Sequence, residues 1–276
     1  MNFFAGVIGG GDAPSNSAVD DANDGAGGCD SDEKGLLQKA LVSRIEASIG
    51  ELRSFCPRAA AAFPALPSGD GDVGNPFASA VSRPVGEKHS KVVKSIEMLQ
   101  NWRGRGQPLV RISFRLRLGD NPGSFFDMMD DPEKRKAWDV NLDTMKHKMP
   151  VEMEHLGGEA RVTHVTTKPS LGGMVSPREF VTAVLRRRNH NDDGIYVSCA
   201  SSVECEACYP VMSTHVRGSN HIFAIVLQRA KDDQEEGWWN GEIYFQICVN
   251  GWVPSGPVID ATISLQCDFV VLASKR

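Results

Sequence analysis

Apolar and polar positions alternate most cleanly from residue 110 to residue 118. Val110, Ile112, Phe114, Leu116 and Leu118 interleave with Arg111, Ser113, Arg115 and Arg117. That period of two predicts a strand with one buried face and one wet face. Further β segments are predicted at about 161–167, 178–187, 194–203, 213–228 and 241–249, parted by turns rich in Gly, Asn and Asp such as Asn189–Gly194. The helical period appears at both ends. Leu37, Leu41, Ile45, Ser48, Ile49, Leu52 and Cys56 recur at three- and four-residue spacing and predict a helix over 34–56, stopped by Pro57. Pro122–Met129 and Pro132–Trp138 predict two short helices, each opened by a proline near its first turn. From Pro254 to Lys275 one arc holds Val258, Ala261, Thr262, Leu265, Phe269 and Leu272, widened by Ile259, Ile263 and Val270. Asp260, Ser264, Asp268 and Lys275 form the opposite stripe. Two aspartates near the middle, at about 3 kcal/mol each, argue against a membrane span there. The order predicts an α+β fold: one curved antiparallel sheet with helices on its inner face and a long closing helix.

Residues 64–86 hold Pro64, Pro67, Gly69, Gly71, Gly74, Pro76, Pro84 and Gly86 and are predicted to form a loop. Residues 1–33 carry seven acids and no Lys or Arg, and 9–33 are too polar and glycine-rich to offset their ordering entropy, so they are predicted to be a disordered acidic tail. The chain's 30 Lys+Arg against 35 Asp+Glu give a formal charge of -5, and this argues against a nucleic-acid partner. Seven unpatterned cysteines predict reduced thiols and a cytoplasmic setting. The Cys205–Cys208 pair has no second pair to complete a zinc site, so no metal is expected. The opening Met1–Gly11 lacks the basic segment of a signal peptide, and no uninterrupted apolar run reaches 18 residues, which predicts a soluble protein.

Four stretches in order resemble the START family, the lipid-transfer domains related to the steroidogenic acute regulatory protein. They are Asp131-Pro132-Glu133-Lys134-Arg135-Lys136-Ala137-Trp138-Asp139, then Val175-Ser176-Pro177-Arg178-Glu179-Phe180-Val181, then the strand segment with Arg217, then Gly251-Trp252-Val253-Pro254 opening the last helix. The resemblance covers residues 86–276 and makes 34–276 a single domain. It implies a helix-grip fold, in which the C-terminal helix crosses the curved sheet and closes an apolar tunnel for one lipid. Burying acyl chains, at about 0.8 kcal/mol per CH2, is the physical need such a tunnel meets. The strands and helix alone favour a filled core, and it is the resemblance that favours the tunnel.

The resemblance also names candidate site residues. Arg135 and Asp139 stand four apart and share a helix face. As bare residues they are a surface ion pair; the resemblance to phosphatidylcholine-transfer-like members implies that they hold a phospholipid head group, Arg135 on the phosphate. Phe180 falls where those carriers cage a quaternary ammonium, although the other cage positions, near His164/Val165 and His221, make a poor cage. Sterol-binding members carry an acid and an Arg at the positions of Val165 and Val184, both apolar here, which ranks sterol below an acyl lipid. Val165, Val184, Val258, Thr262, Leu265 and Phe269 are the expected tunnel lining. Leu171, Gly172, Gly173 and Met174 are the expected gate loop, touching a membrane surface, with an ordinary glycine turn as the plain alternative. Arg186-Arg187-Arg188 is either a solvated strand end or a contact for anionic head groups.

None of the seven histidines stands in a nucleophile, zinc-protease or phosphate-loop motif. The expectation is a carrier or sensor without cofactor, cytoplasmic and peripheral to membranes, and not an enzyme. The alternatives are a sterol carrier, or a cyclase or hydrolase using His164 in a related cavity.

Overall fold

The computed structural model describes residues 31–63, 76–169, 175–187, 194–204, 209–231, 236–251 and 255–275. Ten strands form one sheet: β1 (Val81–Arg83), β2 (Val93–Leu99), β3 (Leu109–Arg117), β4 (Leu142–Met153), β5 (Gly158–Thr167), β6 (Arg178–Arg187), β7 (Ile195–Ser202), β8 (Val216–Arg217), β9 (Ser219–Arg229) and β10 (Trp238–Cys248). Their order is β1-β2-β3-β10-β9-β7-β6-β5-β4, and β8 runs parallel beside the start of β6. All other pairings are antiparallel. The helices are α1 (Ser31–Arg53), α2 (Pro57–Ala62), α3 (Gly123–Asp130), α4 (Pro132–Lys136) and α5 (Ser255–Ala273).

Strand alternation sends two side-chain sets to two separate cores. On the outer face, Val162, Ala183, Leu185, Val197 and Cys199 meet Leu41, Ile45, Ile49 and Leu52 of α1. On the inner face, Ile112, Phe114, Leu116, Ile243 and Phe245 meet α3 and α5. Phe114 stacks on Phe125 at 5.6 Å, and Phe125 meets Phe269 edge-on at 4.7 Å. Glycine at 241 makes this possible, because a Cβ there would land inside the Phe114 ring.

Several boundaries differ from the sequence reading. Helix α1 begins at Ser31, not 34. It ends at Arg53, and Pro57 opens α2 instead of merely stopping α1. The expected loop 64–86 contains a 3-10 turn at Pro76–Ser79 and strand β1; its residues 64–75 lie outside the described residues, as do 1–30. Cys56, Cys199, Cys248 and Cys267 are free thiols, and burial pushes Cys56 up to about 11 and Cys199 and Cys267 to about 12. The Cys205–Cys208 pair lies outside the described residues.

The largest difference is the seat of α5. Its buried side chains are Ile259, Ile263, Gln266, Cys267, Phe269, Val270 and Ala273. Val258, Ala261, Thr262, Leu265 and Leu272, expected at the centre of the buried arc, are half-buried on its flank. The helix lies over β2 and β3. Two aspartates hold it there: Asp268 binds Lys88 at 2.9 Å and His89 at 2.7 Å, and Asp260 pairs with Arg83. α5 is long and apolar enough to span a bilayer by length and composition, but these aspartates tie it to the chain ahead of β2.

Candidate functional site

The inner face of β5, β6, β7 and β9 lies beyond the seat of α5. Among its side chains are Thr163, Thr182, Val184, Ser198, Ala200 and the half-buried Phe223, while Ile225 and Leu227 of β9 are fully buried in the inner core. Val165, Val184 and Ala200 retain 9%, 8% and 9% exposure, whereas Ala183, Leu185, Val197 and Cys199, on the opposite face of the same strands, are at 0%. The outer face of β6 and β7 is therefore fully sealed, and their inner face slightly less so. The half-buried flank of α5 is apolar as well. Beside the first turn of α5 a cavity of about 190 Å³ is lined by Gln107, Ile247, Val249, Gly251, Ser255 and Val258, among others. That is below the roughly 300 Å³ at which pockets for drug-sized ligands begin.

The expected tunnel-lining residues divide. Val165 sits on the inner face in a small cluster with Leu142 and Met145. Val184 shares that face, so both of these apolar side chains look inward. Val258, Thr262 and Leu265 lie on the half-open flank of α5. Phe269 is fully buried against Phe125 and Trp138, both at 4.7 Å, and is part of the closed core.

Arg135 and Asp139 do meet: Arg135 Nε donates to Asp139 Oδ2 at 3.1 Å, and the Asp139 side chain is only 7% exposed. Asp131 caps α4 by accepting from the Glu133 and Lys134 N–H groups, which sets the helical turn that brings the pair together. Trp138 lies behind them, its indole N–H donating to the Met128 carbonyl at 2.9 Å, and Arg135 sits 5.8 Å from its ring centre. Phe180 is half-buried, and its ring fills the space over Gly218. His164 lies on the opposite face of the sheet from Phe180, where it donates to Glu179 and packs beside Tyr209, so it contributes nothing to a cage. The expected gate residues Leu171, Gly172, Gly173 and Met174 lie outside the described residues.

Two charged groups escaped the sequence reading. On the inner face, Arg161 pairs with Asp130 at 3.0 Å, and Arg186 binds Asp127 at 2.8 Å and the Gly123 carbonyl at 3.0 Å, fastening α3 to β5 and β6. His147 joins them. It donates from Nε2 to the Asp130 carbonyl, which leaves Nδ1 to accept from the Thr163 hydroxyl, and burial, with help from the neighbouring arginines, lowers its basicity. Arg186 is thus not a solvated strand end. Nor is Arg187, which is buried on the outer face and donates to the Ile195 carbonyl at 3.0 Å. The sequence signal was phase: Arg161 and Arg186 occupy inward positions of their strands. On the outer face, Glu179 is fully buried and accepts from Arg217 at 3.2 Å, His164 at 3.2 Å and the Met212 N–H at 3.0 Å. Among the described residues, no group of three or more His, Cys, Asp or Glu side chains is arranged to hold a metal ion.

A curved antiparallel sheet with a C-terminal helix laid across its inner face defines the helix-grip class. This chain belongs to the START domain family, whose sequence profile matches residues 117–255. The steroidogenic acute regulatory protein, mitochondrial, of Oncorhynchus mykiss is 23% identical over 145 residues, 52% of this chain and 47% of that protein. The chain thus spans about half the length of the curated relative it matches. Human StAR-related lipid transfer protein 5 has the same fold, with a TM-score of 0.55 and 20% identity over 72% of this chain and 87% of that one. So does the human StarD13 lipid transfer and protein localization domain, with a TM-score of 0.56 and 12% identity over 71% of this chain and 89% of that one.

Proposed function

We propose that this domain binds one membrane lipid, of the phospholipid class, between the half-open flank of α5 and the inner face of β5, β6, β7 and β9, and carries or senses it between membranes. The observation that carries this reading is an asymmetry of β6 and β7: they are fully sealed on the outer face and keep small apolar side chains with slight exposure on the inner one, while the apolar flank of α5 is only half-buried. Family membership supports lipid as the ligand. The small size of the cavity beside α5 means that acyl chains enter as α5 shifts along or away from β2 and β3. Val165, Val184, Val258, Thr262 and Leu265 then line the tunnel, and Phe269 anchors the helix that closes it. Arg135 takes the phosphate, with Asp139 orienting its guanidinium. Phe180 borders the head group as a single apolar wall without a cage, so the reading does not extend to choline. The apolar pair Val165 and Val184 offers a sterol hydroxyl no ionic partner, which supports an acyl lipid over sterol. Leu171, Gly172, Gly173 and Met174 act as the gate. The protein works as a non-enzymatic, peripheral protein of the cytosol.

Organic extraction of the purified full chain followed by mass spectrometry yields a phospholipid at near one per chain; a chain with no bound lipid overturns the reading. Arg135→Ala lowers phospholipid transfer between vesicles by about tenfold or more, the worth of a charge-assisted hydrogen bond to phosphate. Unchanged transfer removes the head-group role of Arg135 and leaves the tunnel standing.

A further inference from the structure

Gln266 is an amide set among Ile259, Ile263, Phe269, Val270 and Ala273 on the buried arc of α5. It is 4% exposed. Its Oε1 is sealed from solvent and accepts no hydrogen bond from the described residues. The strands beneath α5 present Ile96, Met98, Val110 and Ile112, none of which carries a donor. Within the helix, Thr262 stands one turn back, but its hydroxyl donates to the Val258 carbonyl at 2.8 Å. By contrast, the deeply buried hydroxyls on the facing strands are bonded, Thr163 to His147 at 2.9 Å and Thr182 to the Thr163 carbonyl at 3.3 Å. A buried acceptor without a donor gives up its hydration for nothing, so its place in a fold calls for a partner supplied from outside. Gln266 also stands beside the candidate head-group residues. Phe269 shares a helix face with it, three residues on and about 4.5 Å further along the axis. The Phe269 ring meets Trp138 at 4.7 Å, and Arg135 lies 5.8 Å from the centre of the Trp138 ring.

We infer that Gln266 is a specificity residue of the lipid site: its Oε1 accepts a hydrogen bond from the ligand's backbone, at the junction of head group and chains, so the phospholipid carries a donor there. The inference rests on the carrier reading and names the class of lipid within it. As α5 shifts to admit the chains, the unpaired acceptor comes against the lipid. With the phosphate on Arg135, the junction follows by a few bonds, and Gln266 is the polar group of α5 at that depth. A diacyl glycerophospholipid has only ester oxygens at the junction and offers no donor. A lysophospholipid offers a free hydroxyl, and a sphingoid phospholipid offers an amide N–H and a hydroxyl; the donor is the chemistry they share. A site built around a buried polar group rejects a ligand that leaves it unpaired far more strongly than an apolar pocket rejects a missing methylene.

The test loads the full chain from vesicles that hold diacyl, lyso and sphingoid phospholipids in equal amounts, each form with choline, ethanolamine and inositol head groups, and reads the bound lipid by mass spectrometry. The wild type takes the donor-bearing forms about tenfold or more over the diacyl form of the same head group. The lyso and sphingoid arms show which source of the donor it takes. Gln266→Met keeps the length of the side chain and brings the three forms within about twofold of one another. Stripped of lipid, Gln266→Met melts about 2–4 °C higher than the stripped wild type, because an unpaired buried acceptor is gone. Equal uptake of all three forms by the wild type, or an enrichment that survives in Gln266→Met, overturns the inference and leaves the carrier reading intact. A lower melting temperature in Gln266→Met shows that the amide has a partner within the fold and likewise overturns it. A wild type that takes lipid from no arm overturns the carrier reading itself, and the inference with it.

Discussion

Phe269→Ala lowers the stability of the domain by about 3–5 kcal/mol in denaturant unfolding, the usual cost of deleting a buried phenyl ring. The ring is fully buried and touches Phe125 and Trp138, each at 4.7 Å. Phe125 in turn stacks on Phe114, whose ring rests on Gly241. The cavity left by alanine would open at the point where α5, α3 and the sheet converge, and rigid neighbours on three sides have little freedom to fill it. Phe269→Leu keeps most of the volume and costs about 1–2 kcal/mol. A loss under about 1 kcal/mol for the alanine variant would mean that α5 is not held there.

Glu179→Gln and Arg217→Met are each expected to cost about 3–5 kcal/mol, because each leaves one member of a buried charged group without its partner. Glu179 has no exposed surface and is held by Arg217, His164 and the Met212 N–H. Burial alone would raise its pKa; the Met212 N–H, Arg217 and His164 outweigh it and hold the carboxyl below the usual carboxylate range. A depressed carboxylate stabilises the fold fully above its unfolded value, about 4.3. That contribution is lost as pH falls through the lower native value. Unfolding curves in acid therefore show a steep limb for the wild type and a flatter one for Glu179→Gln. Equal slopes would show that the carboxylate does not carry the acid sensitivity.

Strand β3 was legible through its half-exposed face: residues 110–118 alternated without a miss, and the strand runs from Leu109 to Arg117. Strand β6, buried on both faces, spans Arg178–Arg187 as expected. Strand β4 was missed because it is an edge strand with a lysine-rich, largely exposed pattern that hides its few inward residues. α5 was placed correctly along the chain but not about its axis. All but one stripe of that helix is apolar, so periodicity does not say which apolar arc packs and which stays half-open. The packed arc runs through Ile259, Ile263 and Val270, and the arc through Val258, Thr262 and Leu265 is the freer one. The pair Arg135–Asp139 was legible because helical spacing alone makes the two residues neighbours. The cluster of Arg161, Arg186, Asp127 and Asp130 was not, because it joins three elements that only the sheet's curvature brings together.

The outer face of the sheet is clamped by α1, whose Leu41, Ile45, Ile49 and Leu52 are without exposed surface. On the carrier reading proposed above, that clamp lies on the far side of the sheet from the lipid. A vessel braced from outside keeps its shape when emptied, so under that reading the unloaded protein makes its return journey folded, and delivery does not have to be coupled to collapse.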